Sequence, residues 1–452
     1  MLKSLFRLKP FIRPYRWRLG AGIMAFGIAR LCEGLIPILL AIGIDRIAAG
    51  NLNLGLPIAG IFGAVLGRFV VVSAARYLVR TSGIRVSFDL RQALFSALQH
   101  QGGSFFNRYT IGDMMTRAVA DIALIQRLIA MGTILLVILV YASLVGFGFM
   151  LYLSPSLTLL LLPPMPFVFF YARWASHQMG IASKDVQDRM SDLADHVQEN
   201  LSGIRTIQAM VQEENEVKRF LDTNQAYSNA YYQQARINSL MAAWMPTLAA
   251  ICSNTIIGYG GYLVMEGELS IGQLVAFLMY LNMVVQPFRV AGFVISLFQR
   301  AAVASDRLFE VLSLSPEITD APTGAAPAQI RGDIEIRDLT FSYPGYESEA
   351  LAGVNLKVKA GERISIMGRV GSGKSTLLKQ LVRLLDTPAG TVFIDGVDVR
   401  DYPLSQLRSQ VALVPQDPFL FGEPLKSNLT YDDPNRALDE IWAAATSADL
   451  RN

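Results

Sequence analysis

The chain has 452 residues, of which 52% are hydrophobic and 17% are charged, and its formal net charge is +3. A typical soluble domain is about 25% charged, so this composition excludes an ordinary soluble globular protein and favours membrane segments joined to a soluble part. The net charge is too small to indicate nucleic acid as a partner, and two cysteines in apolar stretches argue against a disulfide scaffold.

Six apolar stretches approach the roughly 20 residues that a helix needs to cross a bilayer. Short turns join them in three pairs, and two long polar connections, 80–127 and 176–239, separate the pairs. The connections predict helices that extend the spans beyond the membrane, broken at 107–113 and 210–216. Each connection is thus predicted to be a helical hairpin with a turn at its middle. The hairpin either carries a contact surface for a soluble domain or is solvated and has no partner. The predicted spans are approximately 19–44, 54–79, 128–153, 156–175, 240–265 and 271–298.

Basic residues predict the orientation. Six lie in the N-terminal tail and six in the first connection, whereas the short turns carry only Arg46. Because basic residues concentrate in cytoplasmic loops, we expect a multi-pass protein of the cell inner (plasma) membrane with its N-terminus in the cytoplasm. An even number of spans then places the C-terminal part in the cytoplasm, where ATP is available.

Four charged residues lie inside the first two predicted spans. Charges at membrane depth are costly, so Arg30 and Glu33 are either functional, cavity-facing groups or an i,i+3 pair that neutralises itself. Arg68 and Arg76 are candidates for contact with an anionic or amphipathic cargo, although Arg76 is also near enough to the inner end to reach the interface. The sequence leaves these alternatives open.

The pattern changes after the last span. A helix is predicted over 299–318, and a linker rich in proline, alanine and glycine occupies 316–332. Alternating or short apolar runs then predict strands, interleaved with a helix at 376–385, which is typical of an α/β nucleotide-binding domain. The predicted strands are 333–343, 351–361, 362–367, 391–399 and 411–417.

The segment GRVGSGKST, residues 368–376, fits the phosphate-loop pattern G-x-x-x-x-G-K-[ST]. Its glycines let backbone N–H groups turn toward phosphate oxygens, Lys374 would contact the β- and γ-phosphates, and Ser375 would offer its hydroxyl to Mg²⁺. The sequence therefore predicts ATP and Mg²⁺ as ligands. The candidate binding residues are Gly368, Arg369, Val370, Gly371, Ser372, Gly373, Lys374, Ser375 and Thr376.

Six spans, two long helical connections and this loop together resemble an ATP-binding cassette (ABC) exporter half-transporter of the bacterial multidrug and lipid-flippase branch. Within the cassette, FSYPG is similar to the adenine-stacking segment, which implies that Tyr343 packs on the base. VPQDPFLF resembles the Q-loop, which implies that Gln416 senses Mg²⁺ and contacts the membrane domain. FFNRYTIGDMMTRAVAD and GIRTIQAMVQEENEVKRF are similar to the two coupling segments of such exporters, the second of which docks on the partner's cassette.

The resemblance implies an α-helical six-span membrane domain at 1–315, followed by an incomplete α/β P-loop nucleotide-binding domain at 333–452. It implies an ATP-hydrolysing translocase in the lipid bilayer that pairs with a second half-transporter subunit as a homo- or heterodimer. The implied cargo is a hydrophobic or amphipathic small molecule first, and lipid second.

The chain departs from the family pattern after Gln416. No serine-glycine-glycine signature, no apolar strand ending in Asp-Glu and no switch histidine follow, so no complete catalytic set is present. We therefore expect an exporter truncated within its cassette, inactive in ATP hydrolysis as this polypeptide alone. The alternative function is a non-hydrolysing, membrane-anchored nucleotide-binding pseudo-subunit. The three histidines, all upstream of the loop, are His100, His177 and His196.

Overall fold

The computed structural model of the chain forms two compact units. We call residues 1–99 and 111–314 the membrane unit, and residues 100–110 and 315–452 the nucleotide unit. Each is described separately. The structure describes residues 2–161, 164–288, 291–320, 327, 329–346, 348–416 and 419–449.

Helices make up nearly all of the described membrane unit. Both predicted breaks in the long connections are confirmed, because one helix ends at Arg108 before the next begins at Ile111, and another ends at Ala209 before the next begins at Glu213. The helices of this part of the chain are α1 (Leu2–Phe6), α2 (Lys9–Ile12), α3 (Arg16–Ala48), α4 (Gly55–Gln99), α5 (Gly103–Arg108, in the nucleotide unit), α6 (Ile111–Thr116), α7 (Ile122–Arg127), α8 (Thr133–Leu153), α9 (Pro155–Leu161), α10 (Pro164–Ser202), α11 (Ile204–Ala209), α12 (Glu213–Met265), α13 (Ile271–Phe288) and α14 (Ala291–Leu312).

Among the described residues, three helical stretches are long and apolar enough to cross a membrane. They are Lys9–Ala48, Gly55–Gln99 and Ile111–Leu153, and Ile271–Gln286 is a shorter apolar helix. The predicted spans 156–175 and 271–298 include residues 162–163 and 289–290, which lie outside the described part of the chain. The count of six spans therefore stays a prediction.

Apolar side chains from α3, α8, α12 and α13 form the main core of the membrane unit. Phe277 and Tyr280 of α13 are fully buried there, and the Tyr280 ring stacks on Phe149 of α8 at a centroid distance of 5.2 Å. The Tyr280 hydroxyl donates to the carbonyl of Gly34 in α3. This bond gives a buried hydroxyl its partner and fixes α13 against α3.

The end of α3 is tied to the start of α13. The Asp45 carboxylate accepts a hydrogen bond from the Ser270 hydroxyl at 2.6 Å and another from the Gly272 backbone N–H at 2.8 Å. An acidic side chain satisfies the free N–H groups at a helix N-terminus and complements its dipole. Gly272 is required at this crossing, because a Cβ there would overlap the Ala41 carbonyl oxygen.

The buried side chain of Arg117, which lies between α6 and α7, links this part of the chain to α14. The Arg117 side chain, 6% exposed, contacts Asp113 and Glu310 at 3.0 Å and donates to the Arg307 carbonyl. The Arg307 guanidinium reaches Asp113 at 2.7 Å and Asp121 at 3.4 Å. Alternating positive and negative side chains, instead of apolar ones, therefore form the contact between residues 113–121 and α14 at this point.

The nucleotide unit contains a four-stranded antiparallel sheet with the order β2-β1-β3-β4. The predicted strands 333–343 and 351–361 are thereby confirmed, whereas the single strand predicted at 391–399 is a hairpin of two short strands. Leu339, Val392 and Tyr402 are fully buried beneath this sheet, and the Tyr402 hydroxyl donates to the Ile394 carbonyl at 2.9 Å. The strands are β1 (Ile334–Ser342), β2 (Glu349–Val358), β3 (Val392–Ile394) and β4 (Val397–Asp398), and the helices that follow β2 are α15 (Lys374–Leu381), α16 (Leu404–Gln410), α17 (Leu425–Leu429) and α18 (Leu438–Ser447).

Two predicted strands are wrong. Residues 362–367 and 411–416 form no strand, because a strand requires hydrogen bonding to a neighbour and neither segment has such a neighbour among the described residues. Residue 417, the last of the second prediction, lies outside the described part. Both segments expose apolar side chains, with Met367 at 88% and Val414 at 89%.

The first predicted coupling segment contributes α5 to the nucleotide unit. The Ser104 hydroxyl in this short helix donates to the Glu317 carboxylate. Glu317 also lies so close to Gly102 that a Cβ at that glycine would overlap its carboxylate. The linker predicted at 316–332 begins here, and its residues 321–326 and 328 lie outside the described ranges.

Candidate functional site

The predicted phosphate loop leads directly into α15. Gly371 and Gly373 have φ values of +83° and +86°, a left-handed conformation that side-chain-bearing residues rarely adopt, and α15 begins at Lys374. The first N–H groups of a helix have no partner within it, and the helix dipole places positive charge at the same end. The loop and the start of α15 therefore have the features of an anion-binding site, and the binding itself stays a prediction.

Gly373 lies where the loop meets β2. A Cβ on this residue would lie 2.5 Å from the carbonyl oxygen of Ala350 and 2.8 Å from Cδ2 of Leu351. A Cβ on Gly368 would likewise lie 2.5 Å from Oγ of Ser372, within the loop itself. Both glycines thus allow a close packing of the loop that a Cβ would prevent. The contact with Ala350 could not be found from the sequence, since it depends on how β2 packs.

The Lys374 ammonium group folds back over the loop. Its Nζ donates to the Gly368 carbonyl at 2.9 Å and to the Arg369 carbonyl at 2.8 Å, and lies 3.4 Å from Oγ of Ser372. A lysine ammonium has three donors on a flexible stem, so it can exchange these acceptors for phosphate oxygens. The positive charge is therefore held over the loop, and its contact with the β- and γ-phosphates stays a prediction.

Ser375 and Thr376 occupy different environments in the first turn of α15. Ser375 is exposed, so its hydroxyl is accessible to a hydrated cation, whereas Thr376 is buried. Arg369 and Val370 are also exposed, and the Val370 side chain extends fully into solvent. Their contribution to a phosphate site would come from their backbone N–H groups.

Tyr343 lies beside the loop. Its hydroxyl and that of Thr376 are 3.0 Å apart, and its ring packs edge-on against Phe341 at a centroid distance of 5.3 Å. The structure thus brings together Tyr343 and the phosphate loop, which are 25 residues or more apart in sequence. The sequence contains no signal for the bond to Thr376, because the pair forms only when β1 and α15 pack together.

Gln416 is not brought into this cluster. Its side chain is exposed, and within the described ranges it makes no hydrogen bond to the phosphate loop. The pair Asp439 and Glu440 is the only Asp-Glu sequence after the loop, and it lies in the first turn of α18 rather than at the end of a strand. Among the described residues no group of three or more His, Cys, Asp or Glu side chains lies together to hold a metal ion.

The residues present fit ATP with Mg²⁺. The N–H groups of the glycine-rich loop and of the start of α15, together with the Lys374 ammonium, form a set of donors suited to a polyphosphate. Mg²⁺ bound to a nucleotide usually takes one or two protein ligands, with phosphates and waters as the rest, so one exposed Ser375 hydroxyl suffices on this side.

Comparison with known proteins covers both units. The family profile of the ABC transporter transmembrane region matches residues 19–288, and the family profile described as ABC transporter matches residues 351–451. Three similar relatives come from Bacillus subtilis. The uncharacterized ABC transporter ATP-binding proteins YknU and YknV are 28% and 30% identical, over 100% and 98% of this chain and 77% and 74% of their own lengths. The probable multidrug resistance ABC transporter ATP-binding/permease protein YheI is 29% identical over 99% of this chain and 77% of its own length.

Proposed function

This chain belongs to the ABC exporter half-transporters, and from that premise we propose that it exports hydrophobic small molecules, with lipid as the second cargo class, when ATP binds at residues 368–376. The observation that carries the nucleotide part is the loop that ends in Gly373 and opens α15 at Lys374. The cargo class is supported by the similarity of the chain to relatives such as YheI, which is named as a probable multidrug resistance protein.

Each residue has a distinct role in the proposed nucleotide site. The loop's backbone N–H groups bind phosphate oxygens, Lys374 stabilises the β- and γ-phosphates, and the Ser375 hydroxyl orients bound Mg²⁺. Tyr343 packs on adenine, which its half-buried ring beside α15 supports. Gln416 acts as a further Mg²⁺ contact once it approaches the loop. The bound Mg²⁺ supplies charge neutralisation between the β- and γ-phosphates.

Paired substitutions test this assignment. Tyr343→Ala removes stacking and burial of the base, so we expect ATP and ADP affinity to fall alike, by about 1–2 kcal/mol. Lys374→Ala removes a charge-assisted contact to the terminal phosphates, so ATP should lose more than ADP. Lys379→Ala, an exposed change of the same charge in the last turn of α15, is the matched control. Titration of the full chain in detergent with both nucleotides measures all three, and equal losses of ATP and ADP in both test variants contradict the assignment.

We propose further that the polypeptide 1–452 by itself binds ATP without hydrolysing it, which is the pseudo-subunit behaviour. Phosphoryl transfer needs a second carboxylate on Mg²⁺ and a residue that orients the attacking water. The position of Asp439 and Glu440 in α18 supports this proposal, since neither lies at the end of a strand beside the loop. Phosphate release by the parent chain is compared with that of Lys374→Ala, and a clearly higher rate in the parent contradicts the proposal.

The assembly that we propose is a dimer of half-transporters, homo- or heteromeric, embedded in the inner membrane with the nucleotide unit in the cytoplasm. The hairpin of α10 and α12 supports a partner contact because it exposes apolar side chains along its length, including Met190 at 50%, Leu201 at 68% and Leu221 at 58%. An apolar surface of this kind on an otherwise charged hairpin marks a protein contact.

Cysteine crosslinking tests the dimer at the hairpin tip. Met210 and Val211 are 67% and 80% exposed in the turn between α11 and α12. Val211→Cys, in a background with Cys32→Ala and Cys252→Ala and labelled with a maleimide-linked photocrosslinker, should crosslink to a second chain in membranes. Crosslinks formed only within single chains contradict the swapped contact, and a cysteine at Gly261 in α12, far from the tip, is the control.

A further inference from the structure

A cavity of about 480 Å³ opens between four helices of the membrane unit. Its walls come from α3, α4, α8 and α13, and the proposed nucleotide site lies in the other unit. The polar lining residues that bear on the argument are Arg30, Glu33, Arg68 and Gln286, and apolar residues complete the wall. The cavity lies within the size range of small-molecule sites, which is about 300–1,000 Å³.

Three charged side chains from two helices meet in this cavity. Nη1 of Arg30 lies 2.6 Å from Oε2 of Glu33, and Nε of Arg68 lies 3.4 Å from the same oxygen. In the described part of the chain, the two guanidinium groups therefore share one carboxylate. Arg30 and Glu33 are partly covered, with side chains 17% and 26% exposed, and Arg68 is more open at 43%.

This trio carries an uncompensated positive charge: two arginines and one glutamate sum to +1. Arg30 lies 11 residues after the start of the predicted span 19–44, and therefore about 16 Å along the helix, near the middle of a hydrocarbon core about 30 Å thick. A charge at that depth is costly unless a counter-ion or water accompanies it. An arginine remains protonated there, so an anion is the group that would complete the site.

The remaining lining residues indicate which chemical groups the ligand carries besides its anionic group. Met279 and Met283 lie one turn apart on α13 and offer flexible, polarisable apolar contact. Ile36 and Ile138 extend the apolar wall, and Gln286 adds an amide donor near the charged trio. A ligand matched to these surfaces has one anionic headgroup and an apolar body.

We propose that this cavity binds amphiphiles with a single anionic headgroup, whose charge is met by Arg30 and Arg68. The proposal deepens the proposed export function, because it gives the cargo a chemical class. A guanidinium donates two parallel hydrogen bonds to a carboxylate, sulfate or phosphate headgroup, and Glu33 holds both guanidiniums at the cavity wall. The anionic amphiphile comes either from the bilayer as a lipid or from solution.

Fluorescence titration with 11-(dansylamino)undecanoic acid and its uncharged methyl ester tests the proposal. The full chain is placed in nanodiscs of phosphatidylcholine without any nucleotide, so a failure of ATP binding leaves this measurement unaffected. We expect the parent to bind the acid about tenfold or more tightly than the ester, the order of one charge-assisted hydrogen bond. Adding phosphatidylglycerol to the nanodiscs distinguishes the sources: competition with the acid identifies lipid as the occupant, and undiminished acid binding identifies a soluble amphiphile.

Substitution of the arginines and substitution of the glutamate should change the affinity for the acid in opposite directions. Arg30→Gln and Arg68→Gln each reduce the charge of the trio to zero, so the preference for the acid should disappear while ester binding remains. Glu33→Gln raises the charge to +2, so acid binding should become several-fold tighter, an effect that loss of structure would not produce. Arg80→Gln, an exposed arginine on α4 outside the cavity lining, is the matched control and should keep the parent's preference.

Two results overturn the proposal. One is equal affinity of the parent for acid and ester. The other is a preference for the acid that survives both arginine substitutions in protein that remains monodisperse by size-exclusion chromatography. Arg68→Lys keeps the charge and should retain most of the preference, which separates the role of charge from that of packing.

Discussion

Alanine at Gly373 and alanine at Gly371 form a matched pair that tests how the phosphate loop is built. Both glycines have nearly the same positive φ, +86° and +83°, so either substitution costs about 1–2 kcal/mol for a left-handed residue with a Cβ. Only Gly373 is also in contact with β2. Its added Cβ would lie 2.5 Å from the Ala350 carbonyl oxygen, whereas no atom lies within 4 Å of the corresponding position on Gly371.

The difference between the two variants follows from this geometry. Ordinary carbon contacts begin near 3.4 Å, so the loop and β2 would have to separate by about 0.9 Å at Gly373, and such overpacking costs about 1–3 kcal/mol. The total for Gly373→Ala is then about 2–5 kcal/mol, against about 1–2 kcal/mol for Gly371→Ala. These figures are losses in the free energy of unfolding, because the folded loop has this φ and this contact before ATP binds, and ATP affinity should fall in the same order.

The assay is titration of the full chain in detergent with a fluorescent ATP analogue, together with its thermal unfolding. Gly373→Ala should weaken binding more than Gly371→Ala and should also lower the unfolding temperature more, since it disturbs the packing of β2. Equal losses in the two variants, or a larger loss at Gly371, would refute the reasoning that steric contact with β2 shapes the loop.

Three other predictions concern stability. Hydrogen bonds from Arg337 and Lys357 hold the pKa of the Glu335 carboxyl at about 2, below its ordinary value of 4.5. The stability that this carboxylate gives is therefore complete above pH 4.5 and is lost as the pH falls toward 2. The stability of Glu335→Gln should fall less steeply than that of the parent over this range, and parallel acid-unfolding curves would contradict the prediction. Gly272→Ala should lower the unfolding temperature because its Cβ overlaps α3, whereas Gly261→Ala, with open space around it, should not. Arg117→Met removes a buried cation from two carboxylates and should cost about 3 kcal/mol in denaturant unfolding, and a loss under 1 kcal/mol would show that the cluster is solvated.

The phosphate loop could be predicted from the sequence because its chemistry is local. The glycine spacing, Lys374 and the start of a helix lie within nine residues, and the structure has them as expected. The helix itself is shorter than predicted: it ends at Leu381 rather than at residue 385, and Arg383 has a positive φ of +48°. An apolar helical pattern does not reveal where the chain must turn to pack beneath a sheet.

What the sequence could not supply depends on partners distant in the chain. The segments 362–367 and 411–416 have the composition of strands, but a strand also needs a neighbour to pair with. The bond of Tyr343 to Thr376 likewise appears only after β1 and α15 are packed. In the membrane unit, the sequence places Arg30, Glu33 and Arg68 inside predicted spans, but it does not show that both arginines contact the Glu33 carboxylate.

The tie between Asp45 and the start of α13 has a consequence for the order in which the protein is made. The Asp45 carboxylate and the Ser270 hydroxyl are separated by 225 residues. At a synthesis rate of about 5–20 residues per second, roughly 10–45 s pass between the appearance of the two groups. Throughout that interval the end of α3 has none of its contacts to Ser270 and Gly272, and water or another polar group must satisfy the carboxylate. The membrane unit can therefore close the end of α3 against the start of α13 only late in synthesis, after every helix between them has been made.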